Sequence, residues 1–431
     1  MISIRHFFLA GVASVAVAAP ASAVTFTKVA DTGVAVPGSG TGNFTFFERS
    51  AVIRNGNVAF RGEDANFDQG IYFWDGSTIT EIVHASDSVP GVPGETFEDG
   101  FDSELSLEGN TIGFEGFTSA PNFNEAVITA TTGGTLTNVA DTVNTINPVT
   151  GNPFTGINEP SISGGFVAFQ GEDVNIGQEG IYTNATGSLT TVITSGGALP
   201  GIAGYTTTGF DSELSFSGNN IAIQANINDG TNFEQAILLA TITGAITVIA
   251  DTVNTISPTS GALFDDLDEF SIDGANIAFG GGSGASEGIY TNIGGPLTIV
   301  ADTNTAAPGQ GGELFTFFNE DEVSIGGDQI VFDADTINGG GIFYWKNGLL
   351  GSIITDGQIL DGKTVTDVDV LTDSAIDGNQ AVFTAFFDDG SSGIFVANDV
   401  MSTVVPLPAG IALMGAAIGG FGVLRLFRRT G

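Results

Sequence analysis

The chain has 431 residues, a net charge of −39, no cysteine and only two histidines, His6 and His84. That excludes a disulfide framework and Cys-ligated zinc, and leaves almost nothing for Ser-His-Asp or Cys-His chemistry. With 49 acidic residues against 10 basic ones, the surface repels nucleic acid and anionic lipid headgroups and attracts cations.

The first segment reads as an address. Arg5 supplies a positive start, Phe7 to Ala19 is apolar, and Ala21-Ser22-Ala23 is a small-residue cleavage site. Residues 1–23 are therefore expected to be a signal peptide cut between Ala23 and Val24. The β-branched run from Val24 to Asp31 comes next. It matches the runs that close later repeats, Thr135 to Asp141 and Ala245 to Asp251.

A unit then recurs to about residue 400. One copy is EPSISGGFVAFQGEDVNIGQEGIYTNATGSLTTV, residues 159–192. It has four short β-branched or aromatic runs separated by Gly-rich turns, which reads as four strands. Its apolar anchor recurs as Phe60, Phe114, Phe169, Ile223, Phe279, Phe332 and Phe383, at spacings of 51 to 56 residues. Four strands at that period predict an all-β, seven-bladed β-propeller of four-stranded blades. The repeats run over about 28–82, 83–139, 140–192, 193–249, 250–300, 301–354 and 355–400 within a propeller of residues 24–400. The second strands, such as Phe166-Val167-Ala168-Phe169, are apolar on both faces, as a strand between neighbouring blades must be. The seventh copy lacks a fourth strand, so the N-terminal strand is expected to complete the last blade and remove an open edge.

Copies two and four share Gly100 to Ser106 with Gly209 to Ser215, and Ala140 to Ile146 with Ala250 to Ile256, which points to duplication of a two-blade unit. Gly56-Asn57-Val58-Ala59-Phe60 has the spacing of an Asn-x-x-Gly-x-x-Ala-Phe motif, with Ser106, Ser161, Ser215, Ser271 and Ser324 mostly standing at the Asn position. The body resembles the exported tandem-repeat proteins named for that motif, and its strand order looks like the short blades of the TolB type. Neither resemblance implies a catalytic residue.

An acidic residue stands ten positions before each anchor: Glu104, Glu159, Glu213, Glu269, Glu322 and Asp373. In the first copy Ser50 takes the place, with Glu48 nearby. Placed just before the innermost strand, these acids are expected to ring one mouth of the central channel. They would either accept backbone N–H groups of the next blade or hold a cation such as Ca²⁺. No cofactor is required by the sequence. Two other acidic sets are weaker. The loops Gly62 to Asp68 and Gly171 to Asn175 suit Ca²⁺ but lack EF-hand order, and read as solvated turns. Asp31, Asp141, Asp251 and Asp302 precede Thr and read as local caps. Trp74 and Trp345 on third strands are expected to pack rather than present a sugar platform. Gly357 to Thr364 fits GxxxxGKT, but a strand-like acidic run follows where a helix is needed, so no nucleotide is expected.

The C-terminus, residues 401–431, is a second address. Ala409 to Leu424 is uncharged and Arg425, Arg428 and Arg429 follow, which predicts a transmembrane helix with its basic end in the cytoplasm. Val405-Pro406-Leu407-Pro408-Ala409, the glycine-containing span and the arginines together resemble the VPLPA variant of the PEP-CTERM sorting signal. That resemblance implies an exosortase-type processing enzyme as partner, cleavage near the Pro motif, and association with extracellular polysaccharide. The sequence thus predicts an exported, membrane-anchored precursor that reaches the cell surface or matrix as a non-enzymatic binding or structural module. The alternative is a polysaccharide hydrolase or lyase using carboxylates at the channel mouth; a cleft with two unequal acids and aromatic walls would favour it.

Overall fold

The computed structural model describes residues 24–38, 40–47, 51–98, 101, 105–118, 123–173, 178–370 and 373–400, with backbone alone at 212 and 319–321. The signal segment, the sorting tail with its expected transmembrane helix, Glu48, Ser50 and Glu104 lie outside these residues. Among the described residues no helix is long and apolar enough to cross a membrane.

Among the described residues thirty strands pair into seven sheets. Blade 3 shows the plan: Phe154–Ser163, Phe166–Asp173, Glu179–Thr183 and Thr190–Thr194 pair antiparallel in chain order. The inner strands of the other blades are Val52–Arg54, Ser106–Glu108, Thr206–Ser217, Asp266–Asp273 and Phe315–Gly326, with Lys363–Asp369 and Ile376–Asp377 in blade 7. Each inner strand lies against its two neighbours, and Ile376–Asp377 against Val52–Arg54 closes the ring. The closing strand is N-terminal: Thr25–Asp31 pairs antiparallel with Ser392–Asn398, Thr25 opposite Asn398 and Asp31 opposite Gly393. Lys28 ties this strand to Asp31 and, at 2.8 Å, to Asp361.

The anchors form the core. All seven are at most 1% exposed. Phe60, Phe169 and Phe279 face Tyr72, Tyr182 and Tyr290 across the sheet with ring centres 5.6 to 5.9 Å apart. In blades 2 and 4 the partners are Ile128 and Leu238, where blades 1, 3 and 5 have a tyrosine. A third ring, Phe44 or Phe154, comes in edge-on at 4.9 to 5.0 Å from the tyrosine. It fits because Gly62 and Gly171 leave room; a Cβ there would stand 2.9 or 2.7 Å from the incoming phenyl. The core is shared between blades: Ala168 and Ile181 of blade 3 pack in one cluster with Phe210 and Ile223 of blade 4. Covered on both sides, the second strands have no reason to alternate.

Serines join the blades. Ser106 Oγ accepts the Ile162 N–H of the next blade at 3.0 Å. Ser161 does the same for Phe216, Ser215 for Ile272, Ser271 for Ile325 and Ser324 for Ala375, at 3.0 to 3.2 Å. Two residues further on, Ser163, Ser217 and Asp273 accept from Gly218, Gly274 and Gly327 at 2.6 to 2.9 Å. The Ser-Ile-Ser-Gly pattern is therefore a blade-to-blade fastener. It exists because an inner strand has no sheet partner on its channel side.

Candidate metal centre

In blades 3 to 6 the nominated acids sit inside the inner strands, not just before them, whereas Asp373 lies between two short strands of blade 7. In blade 3 the pairing Asn158 to Gln170 is followed by Ser161 to Ala168, so Glu159 and Pro160 form a β-bulge. Blade 4 bulges between Phe210 and Leu214, blade 5 between Leu267 and Phe270, and blade 6 between Phe318 and Val323. These bulges carry Glu213, Glu269 and Glu322. A bulge re-aims the side chain it carries, and here it aims equivalent acids in different directions. Among the described residues Glu159, Glu213 and Asp373 gather at the channel, while Glu322 meets Asp333 and Asp369.

Glu159, Glu213 and Asp373 line the central channel with Ser106, Ser161 and Ser215. About 10 Å³ is open there, room for one water. Asp373 of blade 7 reaches across to blades 3, 4 and 5: Ser215 donates to its Oδ1 at 2.9 Å, Ser271 at 3.4 Å, and Ser161 donates to Oδ2 at 3.4 Å. Burial pushes the Asp373 carboxyl up, while these hydroxyls and Arg54 pull the other way. Glu159 has a left-handed backbone, φ +49°. Burial, reinforced by the charge of Glu269 and opposed by Arg61, lifts its carboxyl from an ordinary 4.5 to about 7.

Much of the fastening between blades falls to other residues, although Glu322 accepts the Val370 N–H of the next blade. Besides the serines, Gln69, Glu125, Glu179 and Gln235, at the starts of third strands, accept the N–H groups of Phe101, Ile157, Phe210 and Leu267 at 2.7 to 3.2 Å. The Asp-Thr acids are local caps: Asp141 Oδ1 accepts from Val143 at 2.8 Å and Asp251 Oδ1 from Val253 at 2.9 Å. Trp74 and Trp345 are buried. The GxxxxGKT segment is a hairpin, Ile359–Leu360 against Lys363–Asp369, and Lys363 binds Ser391 at 2.6 Å and Asp389 at 3.0 Å.

Among the described residues, Glu322 is the nominated acid that enters a cluster with metal-ligand spacing. With Asp333 of the second strand and Asp369 of blade 7 it brings three carboxylates together, one oxygen from each within 4.8 Å of the others. They are 1%, 2% and 4% exposed. Glu322 Oε2 also takes the Val370 N–H at 3.4 Å. Burial, the charge of Glu322 and a hydrogen bond shared with it, and then Asp369 and Asp335, hold the Asp333 carboxyl well above the carboxylate range. Asp335 and Asp356 are raised too, by burial first and by Asp367 next among charges. The lysines of these blades pair elsewhere, Lys346 with Asp328 and Lys363 with Asp389.

A comparison of blades shows what the cluster replaces. The residue after the anchor is Gln170 in blade 3 and Gln224 in blade 4, and their amides donate to Phe210 O at 3.3 Å and Leu267 O at 2.7 Å of the next blade. Blade 6 has Asp333 there. An ionised carboxylate cannot donate; it needs a proton or a cation. Two oxygens on one Ca²⁺ stand at most about 5.2 Å apart, so three oxygens all within 4.8 Å of one another can share one such ion. Asp333 and Asp369 were not among the acids nominated from the sequence. Asp333 leaves one trace there, a carboxylate inside the two-faced apolar run Ile330-Val331-Phe332-Asp333-Ala334.

Two larger clefts open between blades. One, of about 360 Å³ between blades 2 and 3, is lined by Glu115, Phe117, Glu125, Glu159 and Glu172. The other, of about 210 Å³ between blades 5 and 6, is lined by Asp265, Asp266, Asp268, Glu287, a glycine run and Phe318.

A family model described as a family of unknown function, DUF7453, matches residues 9–275 and again 65–374. The two matches start one repeat apart, as a model of stacked blades would. No curated protein matches the chain. Among solved structures, the β-propeller domain of the trilobed protease from Pyrococcus furiosus is similar over 82% of this chain and 96% of its own, at 10% identity and TM-score 0.52. It is described as having an open velcro topology, whereas here the N-terminal strand closes the ring. A puromycin-hydrolyzing peptidase of Mycobacterium tuberculosis is similar over 84% of this chain and 54% of its own, at 11% identity and TM-score 0.51. The chain thus spans about half the length of that peptidase. At these identities the likeness establishes the fold alone. It also corrects one expectation: propellers of this shape occur in proteases and peptidases, so the fold gives no ground for calling the chain a non-enzyme.

Proposed function

We propose, for a chain that belongs to the DUF7453 family of unknown function, that it is an exported β-propeller binding module of the cell surface or matrix, held rigid by a divalent cation, Ca²⁺ first, between blades 6 and 7. One observation carries this reading: three buried carboxylates, Glu322, Asp333 and Asp369, converge at a blade boundary where blades 3 and 4 use the neutral amides of Gln170 and Gln224. The signal-like segment 1–23 and the sorting-type tail from Val405 to Arg429 support delivery through the membrane and release by an exosortase-type enzyme. A thermal melt in EDTA, then in millimolar Ca²⁺, with Mg²⁺ as control, tests the metal. At 100 times its dissociation constant a ligand adds about 2.7 kcal/mol. A Ca²⁺-specific rise supports the site; a rise equal to that from matched ionic strength rejects it.

A second reading, polysaccharide hydrolysis or elimination, rests on the cleft between blades 2 and 3. There Glu159, at about 7, stands with Glu125 and Glu172 beside Phe117. Two carboxylates in unequal environments are what glycosidic cleavage requires. Reducing-end release from a panel of polysaccharides, absent with Glu159→Gln, is its test.

A further inference from the structure

Every blade boundary from 2–3 to 5–6 repeats the same serine contact between equivalent inner-strand positions. Successive blades are therefore related by one rotation, and the connections between second and third strands emerge on one face. Three of these carry a large exposed apolar residue, Phe67 at 68%, Phe123 at 63% and Ile337 at 81%, and Phe233, 80% exposed, opens the third strand of blade 4 beside such a connection. Phe67 and Phe123 also hold left-handed backbone, φ +69° and +46°, which is costly for a bulky side chain. Folding explains neither their exposure nor their strain. Each sits in sequence beside a part-exposed acid: Phe67 before Asp68, Phe123 two residues before Glu125, Phe233 before Glu234, and Ile337 two after Asp335.

We propose that this face docks an extended basic polypeptide segment, its Lys and Arg side chains lying over the exposed phenylalanines and pairing with the adjoining carboxylates. Charge complementarity sets the sign of the partner: no Lys or Arg occurs between Arg61 and Lys346. A phenyl ring beside a carboxylate meets a guanidinium or ammonium twice, through its π face and through an ion pair. The aromatics stand on separate blades and form no continuous apolar patch, which suits an extended chain better than a folded domain. They are all Phe, with no polar handle for sugar hydroxyls, and both Trp side chains are buried. This inference deepens the binding-module reading and is independent of the metal, since the Glu322 cluster is buried between blades.

Fluorescence anisotropy of labelled octa-arginine with the purified chain tests it, run with and without Ca²⁺. The expected result is binding that weakens about tenfold in Phe67→Ala/Phe233→Ala, with an unchanged melting temperature because both rings are exposed. Weakening of less than twofold means that net charge alone attracts the peptide and overturns the proposal. Tighter binding of a neutral cello-oligosaccharide, lost in the same variant, overturns it in favour of a glycan. Failure of the Ca²⁺ melt with peptide binding intact would remove the metal and leave this surface standing.

Discussion

Ser215 donates its hydroxyl proton to Asp373 across the central channel at 2.9 Å while its oxygen accepts the Ile272 N–H of the next blade at 3.2 Å. One side chain thus joins three blades. Replacing it by alanine leaves a buried backbone N–H without its acceptor and deprives Asp373 of its shortest donor. Ser215→Ala should cost about 2 kcal/mol in urea unfolding. A loss below about 0.5 kcal/mol would mean that water substitutes freely in the channel.

Glu159 makes stability depend on pH. Below its ordinary 4.5 the folded and unfolded chains both hold the proton; between 4.5 and about 7 only the folded chain does; above that neither does. The unfolded state binds fewer protons in that window, so stability falls as pH rises through it, by up to about 3 kcal/mol. Glu159→Gln should flatten the melting temperature between pH 5 and 7 and stabilise the protein at pH 8. An unchanged slope would place the titration elsewhere.

Removing charge from the triad should stabilise the metal-free protein. In EDTA the buried carboxylates repel, and one must keep a proton. Asp333→Asn supplies the amide that Gln170 and Gln224 offer in their blades. It should raise the melting temperature in EDTA by a few degrees and abolish the Ca²⁺ response. A variant that melts lower in EDTA and still responds to Ca²⁺ would show that the cation binds away from Asp333.

The closing strand is the other weak point. Deleting residues 24–31 exposes the Ser392–Asn398 edge of blade 7 and opens the ring. Unfolding should lose cooperativity, and the protein should aggregate at micromolar concentration. Lys28→Ala, which removes only exposed ion pairs to Asp31 and Asp361, should cost less than about 1 kcal/mol. Light scattering during a thermal ramp separates the two.

Seven anchors at regular spacing, two-faced apolar second strands and an unpaired N-terminal run were enough to read seven blades and their closure from the chain. These features are local or periodic, and a repeat reports its own stacking. The acids were legible as a set but not as individuals. Glu159, Glu322 and Asp373 hold one repeat position, yet one meets Glu269 and Arg61, one meets Asp333 and Asp369, and one meets three serines. Bulges of different length between Asn158 and Ser161, and between Phe318 and Val323, cause this divergence. The fastening serines stood in the repeat in plain view, but an inner strand's need for acceptors exists only once the ring is closed. Composition and period therefore determined the architecture, the charge and the absence of cysteine chemistry. Which carboxylates share a site was decided by tertiary structure alone, because Asp333 and Asp369 belong to different blades and meet only across their boundary.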